Sequence, residues 1–289
     1  MSRLLPGNRA LFVDATYAQA MSGRRPIGPP PYQRLALEPL AVWEYTSFMA
    51  ASPFMGFIAQ GDGHPVLVLP GFTTSDRSTE LLRAVLSRNG HVAHGWKLGR
   101  NMGAHPAVLR GLQQRLHDLR RQSGRNVSLL GWSLGGIFAR ELARRHPEVV
   151  RSVITLASPY RFRVGDRSHA SSLYDSVGPP VDPFLGDMPA EEEREPVPVP
   201  TTSIYTRTDG IVRWHTCIDT IGTACENIEV FGTHSGLGYN IAATVAIADR
   251  LACPDGEWRP FRPPPGMSFL YPRAESWIPA AGRTVRLAS

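Results

Sequence analysis

The segment Gly131-Trp132-Ser133-Leu134-Gly135-Gly136 sets a serine between glycines two residues before and two after it. It follows directly on the apolar run Val127-Ser128-Leu129-Leu130 and opens a run of helical character. A serine at such a strand-to-helix turn projects its Oγ from the carboxyl end of a sheet, and the helix N-terminus stabilises negative charge there. The turn is sharp, so the flanking positions must be small. A serine hydroxyl is a poor nucleophile until a base takes its proton and an acid orients that base.

The histidines downstream are His146, His169, His215 and His234. His146 precedes Pro147 at the end of a helical run and reads as a surface cap. His169 lies in a long insertion, where a base would be poorly oriented. His215 follows Trp214 and could line a site mouth. His234 lies in Gly232-Thr233-His234-Ser235-Gly236, just beyond the apolar run 228–231, and is the preferred base. For the acid, Asp209 ends the β-rich run 203–208 and precedes Gly210. A carboxylate there can reach the far imidazole nitrogen and fix its tautomer. Its competitors are Asp182, Asp187, Asp219, Glu226 and Glu229; Glu229 alternates within a strand and points across the sheet. An oxyanion needs backbone N–H donors fixed in advance. Leu134, after the serine, supplies one. The loop Leu69-Pro70-Gly71-Phe72-Thr73 supplies the other, where Pro70 cannot donate and Phe72 is the expected donor.

The elements that must hold these residues alternate. Residues 65–69, 91–96, 126–130, 149–156, 201–205 and 228–231 read as strands. Residues 76–88, 104–122, 134–145 and 238–251 carry apolar side chains at helical spacing. That rhythm predicts an α/β domain: a mostly parallel sheet with helices on both faces. Residues 158–200 are rich in Pro, Gly and acidic residues and too long for a structureless loop, so a cap or lid is expected. The organisation expected is an N-terminal segment (1–63) packed on the body, a core formed by 64–157 and 201–252, the insertion 158–200, and a Pro-rich tail (253–289) wrapping the surface.

Four strings stand in order: Val66-Leu67-Val68-Leu69-Pro70-Gly71-Phe72, the serine turn 131–136, Thr208-Asp209-Gly210-Ile211-Val212, and Gly232 to Gly236. Together they resemble the bacterial lipase/esterase branch of the α/β-hydrolase superfamily over roughly residues 64–251. The resemblance implies the α/β-hydrolase fold, a mostly parallel central sheet flanked by helices with a cap or lid insertion. It also implies a Ser133–Asp209–His234 triad, because that family supplies nucleophile, acid and base in this chain order. The activity implied is hydrolysis of carboxylic esters through an acyl-serine, with no metal or organic cofactor. Trp132 and Phe72 are then expected to contact substrate. The chain departs from many lipases, which carry histidine where Pro70 and Trp132 stand here. The tryptophan variant also occurs among thioesterases and acyltransferases, which remain the alternative reading. Some thioesterases of this fold take the acid from an earlier strand, and the 25-residue interval between Asp209 and His234 favours the lipase-like placement.

Composition narrows the partners. The chain has 289 residues, 42% of them hydrophobic and 19% charged, enough for one large α/β domain or two small ones. Its formal charge of +6 rests almost wholly on arginine, since Lys97 is the one lysine. The arginines are spread without a long basic run, so no nucleic-acid partner is expected; a small-molecule or lipid ester is. Cys217, Cys225 and Cys253 lack metal-ligand spacing and are expected as reduced thiols, with a Cys217–Cys225 bridge only in an oxidising compartment. Residues 1–25 show no signal-peptide pattern, so a cytoplasmic location is expected. Residues 40–59 are apolar, but Glu44 and Pro53 interrupt them and they fall short of a spanning helix. They are expected to pack on the body or flank the site mouth, with contact at a membrane interface as the lesser alternative.

Overall fold

Pro65–Leu69 forms strand β1 with all five residues buried, as a run without a polar face requires. Val92–Gly95 (β2), Val127–Trp132 (β3), Val150–Leu156 (β4), Thr201–Tyr205 (β5) and Cys225–Glu229 (β6) join it in parallel, in the order β2-β1-β3-β4-β5-β6. The computed structural model describes residues 26–163, 165–178, 191–219, 222, 224–272, 277–280 and 283–286. Residues 1–25 and the insertion residues Asp182, Phe184, Leu185 and Asp187 lie outside them, so the expectations placed there stay with the sequence.

The helices are α1 (Tyr32–Leu35), α2 (Ala41–Ala51), α3 (Glu80–Arg88), α4 (Pro106–Ser123), α5 (Leu134–Arg145), α6 (Ser171–Val177) and α7 (Ile241–Leu251). Helix α4 shows why such runs fold. Pro106 starts it with φ already set for a helix, and Leu112, Leu116 and Leu119 make one buried stripe. Arg120 and Arg121 meet the dipole's negative end, and Gly124 ends the helix in the left-handed conformation at φ 67°.

Alternate residues of β1 serve two cores. Val66 and Val68 face Phe48 of α2 and the alanine-rich inner face of α7. Leu67 and Leu69 face Leu112 and Leu116 of α4 and Phe138 and Leu142 of α5. The sheet is therefore covered on both sides, as a parallel sheet must be.

Three boundaries differ from the sequence reading. Strand β6 begins at Cys225, because Cys225, Glu226 and Asn227 are buried by polar partners rather than by apolar character; Arg250 donates to Glu226 at 2.9 Å and Asn227 donates to the Asp219 carbonyl at 2.9 Å. The last helical run divides into a 3-10 turn, Leu237–Tyr239, and α7, whose first turn is capped by the Asn240 side chain accepting from Ala243 N–H at 3.0 Å. The tail does more than wrap the surface. Phe261 and Tyr271 are buried in the core, Tyr271 donates to the Ala242 carbonyl at 2.9 Å, and Trp277–Ala280 (β7) with Arg283–Arg286 (β8) add an antiparallel hairpin to the sheet edge.

All three cysteines are free thiols. Burial pushes the Cys225 thiol up to about 12, with the Asp219 charge adding to the shift. Among the described residues, no helix is long and apolar enough to cross a membrane.

Candidate active site

Strand β3 runs straight into α5, and Ser133 makes the turn at φ 51° and ψ −120°. That backbone costs a non-glycine residue about 1–3 kcal/mol and persists only where packing over-determines it. The packing is visible at the flanking glycines. A Cβ on Gly131 would stand 2.3 Å from Gly136 Cα, and one on Gly136 would stand 2.0 Å from Ser158 Oγ. The Ser133 N–H donates to the Leu156 carbonyl at 2.7 Å, which pins the turn to β4.

Above the turn, the Ser133 hydroxyl lies 3.1 Å from His234 Nε2, to which it donates. His234 Nδ1–H donates to Asp209 Oδ2 at 2.7 Å. The other Asp209 oxygen accepts from the N–H groups of Ile211 and Val212, each at 2.8 Å. Asp209 is 1% exposed and His234 7%, so both interact largely out of water. Burial alone would lower the imidazole pKa; the Asp209 charge and hydrogen bond, and then the Glu38 charge, outweigh it and hold His234 above the ordinary histidine value.

The loop after β1 curls against the serine. A Cβ on Gly71 would touch Ser133 Cβ at 3.5 Å. Buried Asn101 shapes this loop: it donates from Nδ2 to the Pro70 carbonyl at 2.8 Å, accepts from Thr73 N–H at 2.7 Å, and donates from N–H to Thr74 O at 2.8 Å. Among the described residues, neither the Phe72 N–H nor the Leu134 N–H donates to a protein acceptor. Asn101 carries no signal in the sequence, since it lies in an irregular stretch far from the loop it shapes.

The competitors are engaged elsewhere. His169 sits against the Pro30 carbonyl at 2.9 Å and His146 against Glu148 at 3.9 Å. Asp219 binds Arg140, Glu226 binds Arg250, and Glu229 pairs with Arg207 at 3.2 Å. The Trp132 ring lies against Gly238 and Tyr239, and Nε1–H donates to the His234 carbonyl at 3.0 Å. At 8% exposure it braces the histidine loop from the core side. Phe72 packs against Tyr174 of α6, with ring centroids 5.1 Å apart. The described part of the insertion therefore reaches the loop beside Ser133.

A second Ser–His–Asp array lies at the opposite end of the strands. His64 Nδ1–H donates to Asp62 at 2.5 Å, and Ser128 Oγ–H donates to His64 Nε2 at 2.9 Å. Burial, only partly offset by the Asp62 hydrogen bond, lowers His64 to about 4, so its ring is neutral. Ser128 is fully buried within β3 and its oxygen also meets Ser152 Oγ at 2.9 Å. Triad distances alone do not make a nucleophile; Ser128 has neither a turn to expose it nor solvent to reach it. Ser128→Ala is expected to leave any activity that depends on Ser133 within about twofold and to cost about 1–3 kcal/mol of stability, since His64 loses a partner. Chemical denaturation alongside a rate assay checks this, and a collapse of activity in folded protein would contradict it. Among the described residues, no group of three or more His, Cys, Asp or Glu side chains is placed to hold a metal ion.

No family model matches the chain. Over 60 residues it is 42% identical to the biotin biosynthesis bifunctional protein BioHC of Teredinibacter turnerae, a segment that is 21% of this chain and 10% of that protein. The crystal structure of Aspergillus fumigatus lipase B is similar at a TM-score of 0.52 and 20% identity, covering 70% of this chain and 56% of the lipase. A monoacylglycerol lipase from Paleococcus ferrophilus is similar at a TM-score of 0.47 and 13% identity, covering 68% of this chain and 96% of that enzyme. The chain thus spans about half the length of the fungal lipase and a tenth of the bifunctional protein. Its mostly parallel sheet flanked by helices is the α/β-hydrolase fold.

Proposed function

We propose that the chain is a serine hydrolase that cleaves carboxylic esters through an acyl-enzyme on Ser133. The observation that carries this reading is the unbroken line from Ser133 Oγ through the His234 ring to Asp209, at 3.1 Å and 2.7 Å. Leu134 follows Ser133 and Phe72 follows Gly71, which packs against Ser133; among the described residues neither N–H has a protein acceptor, which supports their reading as oxyanion donors. In this reading His234 takes the Ser133 proton as Oγ attacks the ester carbonyl. The oxyanion accepts hydrogen bonds from Phe72 and Leu134, and Asp209 stabilises the imidazolium that forms. The imidazolium then gives its proton to the leaving alcohol, and water activated by the same base releases the acid.

Substrates with an apolar acyl group fit the surroundings. Phe72, in the loop that packs on Ser133 through Gly71, carries the Tyr174 ring against it, and the described part of 158–200 is proposed as a lid. Residues 32–57 turn Trp43 and Phe54 outward, 72% and 80% exposed, while Glu44 turns inward. Such a face supports substrate taken from a lipid–water interface.

Hydrolysis of p-nitrophenyl esters from acetyl to long-chain acyl, below and above their solubility limits, tests the proposal. Activity lost in Ser133→Ala is expected, rising with chain length and with aggregated substrate. Absence of both turnover and fluorophosphonate labelling in folded protein would overturn it. A thioester and an added alcohol in the same series test the rival thioesterase or acyltransferase, which the tryptophan in the serine turn keeps in view.

The base must be neutral to accept the serine proton, and His234 is held above the ordinary histidine value. The acid limb of kcat/KM is therefore expected at higher pH than a free histidine would give, with about tenfold loss per pH unit below it. A limb below the ordinary histidine range would contradict the arrangement.

A further inference from the structure

We propose that Glu38 is a positioning residue for this site: from an N-terminal segment outside the hydrolase core, its one carboxylate ties the backbones that carry Asp209 and His234 together. The catalytic consequence rests on the serine-hydrolase reading; the geometry does not.

Residues 26–59 precede β1 and cross the carboxyl end of the sheet. Glu38 Oε1 accepts from the N–H of Gly210 at 2.9 Å and from the N–H of His234 at 3.0 Å. Its Oε2 accepts from the N–H of Ser235 at 2.9 Å. Gly210 is bonded directly to Asp209, so the carboxylate fixes the peptide units on which acid and base are mounted. Three charge-assisted hydrogen bonds from two loops to one side chain make a stiff joint. The loops have another tie further back, where the Thr206 and Thr208 hydroxyls donate to the Gly232 carbonyl at 3.0 Å and 2.6 Å. That tie holds the strand ends, whereas Glu38 holds the loop tips.

The glycines of the two motifs carry the footprint of the segment. A Cβ on Gly210 would stand 2.5 Å from the Arg34 carbonyl oxygen. A Cβ on Gly232 would stand 2.6 Å from Glu44 Oε1, and one on Gly236 would stand 1.8 Å from Glu44 Oε2. None of the three has a positive φ, so backbone conformation does not demand glycine there. At Gly210 the close passage of the Arg34 backbone does, whereas at Gly232 and Gly236 the neighbour is the Glu44 carboxylate at the end of its side chain. Glu44 is itself engaged, accepting from Thr233 N–H at 3.3 Å and Thr233 Oγ1 at 2.5 Å. Residues 34–44 thus clasp the loop around His234 on both sides.

Glu38 also acts through its charge. The groups around the His234 ring are Asp209 from the loop after β5, Ser133 and Trp132 from the serine turn, and Glu38 from the N-terminal segment, with Glu44 one residue away on Thr233. Glu38 favours the imidazolium, the form present in the transition state.

The test compares wild type, Glu38→Gln, Glu38→Asp and Gly210→Ala in the full chain. Glu38→Gln removes the charge, Glu38→Asp keeps it on a shorter stem, and Gly210→Ala lifts the segment without touching Glu38. Readouts are kcat and KM on the best ester, the acid limb of the pH profile, the melting temperature, and the His234 titration with its downfield Nδ1 proton by NMR on histidine-labelled protein. For Glu38→Gln the expected result is a fall in kcat of about 10–100-fold with KM within about twofold. The His234 titration should move to lower pH, and Glu38→Asp should restore part of that shift. Gly210→Ala should lower kcat in the same direction. Folded Glu38→Gln and Gly210→Ala proteins with wild-type His234 titration and kcat would overturn the proposal. So would loss of kcat that only follows loss of fold, with the titration unmoved. If wild type proves inactive on every ester, the function proposed above fails while the NMR titration still decides this one. A lowered His234 titration in Glu38→Gln then supports it, and an unmoved one overturns it.

Discussion

Ser133→Ala is expected to lower kcat for ester hydrolysis about 10⁶-fold, and Asp209→Asn about 10⁴-fold. In the proposed mechanism the serine variant loses the oxygen that His234 activates, since Nε2 meets Ser133 Oγ at 3.1 Å. The asparagine variant keeps the shape of the site. However, it no longer holds the ring with its proton on Nδ1, the tautomer that leaves Nε2 free to accept, and no charge faces the imidazolium. The two losses should not add, because without the nucleophile the acid has nothing to assist. Ser133→Ala should retain the wild-type melting temperature, since alanine carries the same Cβ through the φ 51° turn and the flanking glycine contacts are untouched. Single-turnover assays on purified variants measure both effects. Residual turnover above one percent in Ser133→Ala would assign the chemistry to another group.

Arg140→Met is expected to cost about 3–5 kcal/mol of stability and about 10 °C in melting temperature. Arg140 lies on the buried face of α5, two helical turns beyond the serine turn. Its guanidinium donates to both oxygens of Asp219, at 3.0 Å and 2.7 Å, and to Glu191 at 2.5 Å. It lies over the Tyr160 ring at 3.8 Å. All three charged groups are buried. Taking an ion out of water costs several kcal/mol, which only well-made partners offset. Burial opposes the charge on Arg140, but Asp219 and Glu191 overcome it and raise its pKa well above the usual arginine range. Without the guanidinium, two buried carboxylates lose their shared partner, although Arg144 still reaches Glu191. Adding Asp219→Asn and Glu191→Gln to Arg140→Met should recover part of the loss, because the penalty lies in the stranded charges. Urea unfolding of the single and triple variants measures this, and an unchanged midpoint in the single variant would refute it. The cluster joins α5, the insertion and the approach to β6, so its loss should loosen the framework behind Ser133.

Much of the framework is legible from residue order. The runs at 65–69, 134–145 and 201–205 coincide with β1, α5 and β5: the first is uniformly apolar, the second periodic, and the third rich in β-branched and aromatic residues. Where polar residues are buried by partners distant in sequence, the pattern misleads. Cys225, Glu226 and Asn227 lie before the run expected as a strand yet open β6, and the Pro-rich tail conceals two strands and two core aromatics.

Local chemistry in the sequence determined the serine turn, the loop beside it, and the order of Ser133, Asp209 and His234. Each rests on a short string whose backbone demands small or chain-turning residues within a few positions. Only the tertiary structure decided what steadies them. Trp132 turns inward because the His234 carbonyl and Gly238 lie beneath the loop, Asn101 shapes a loop about 30 residues before it, and Glu38 spans more than 170 residues to reach Gly210. A hydrogen bond across such separations leaves no periodicity and no spacing rule in the chain, because its partners meet only after the sheet has brought them together.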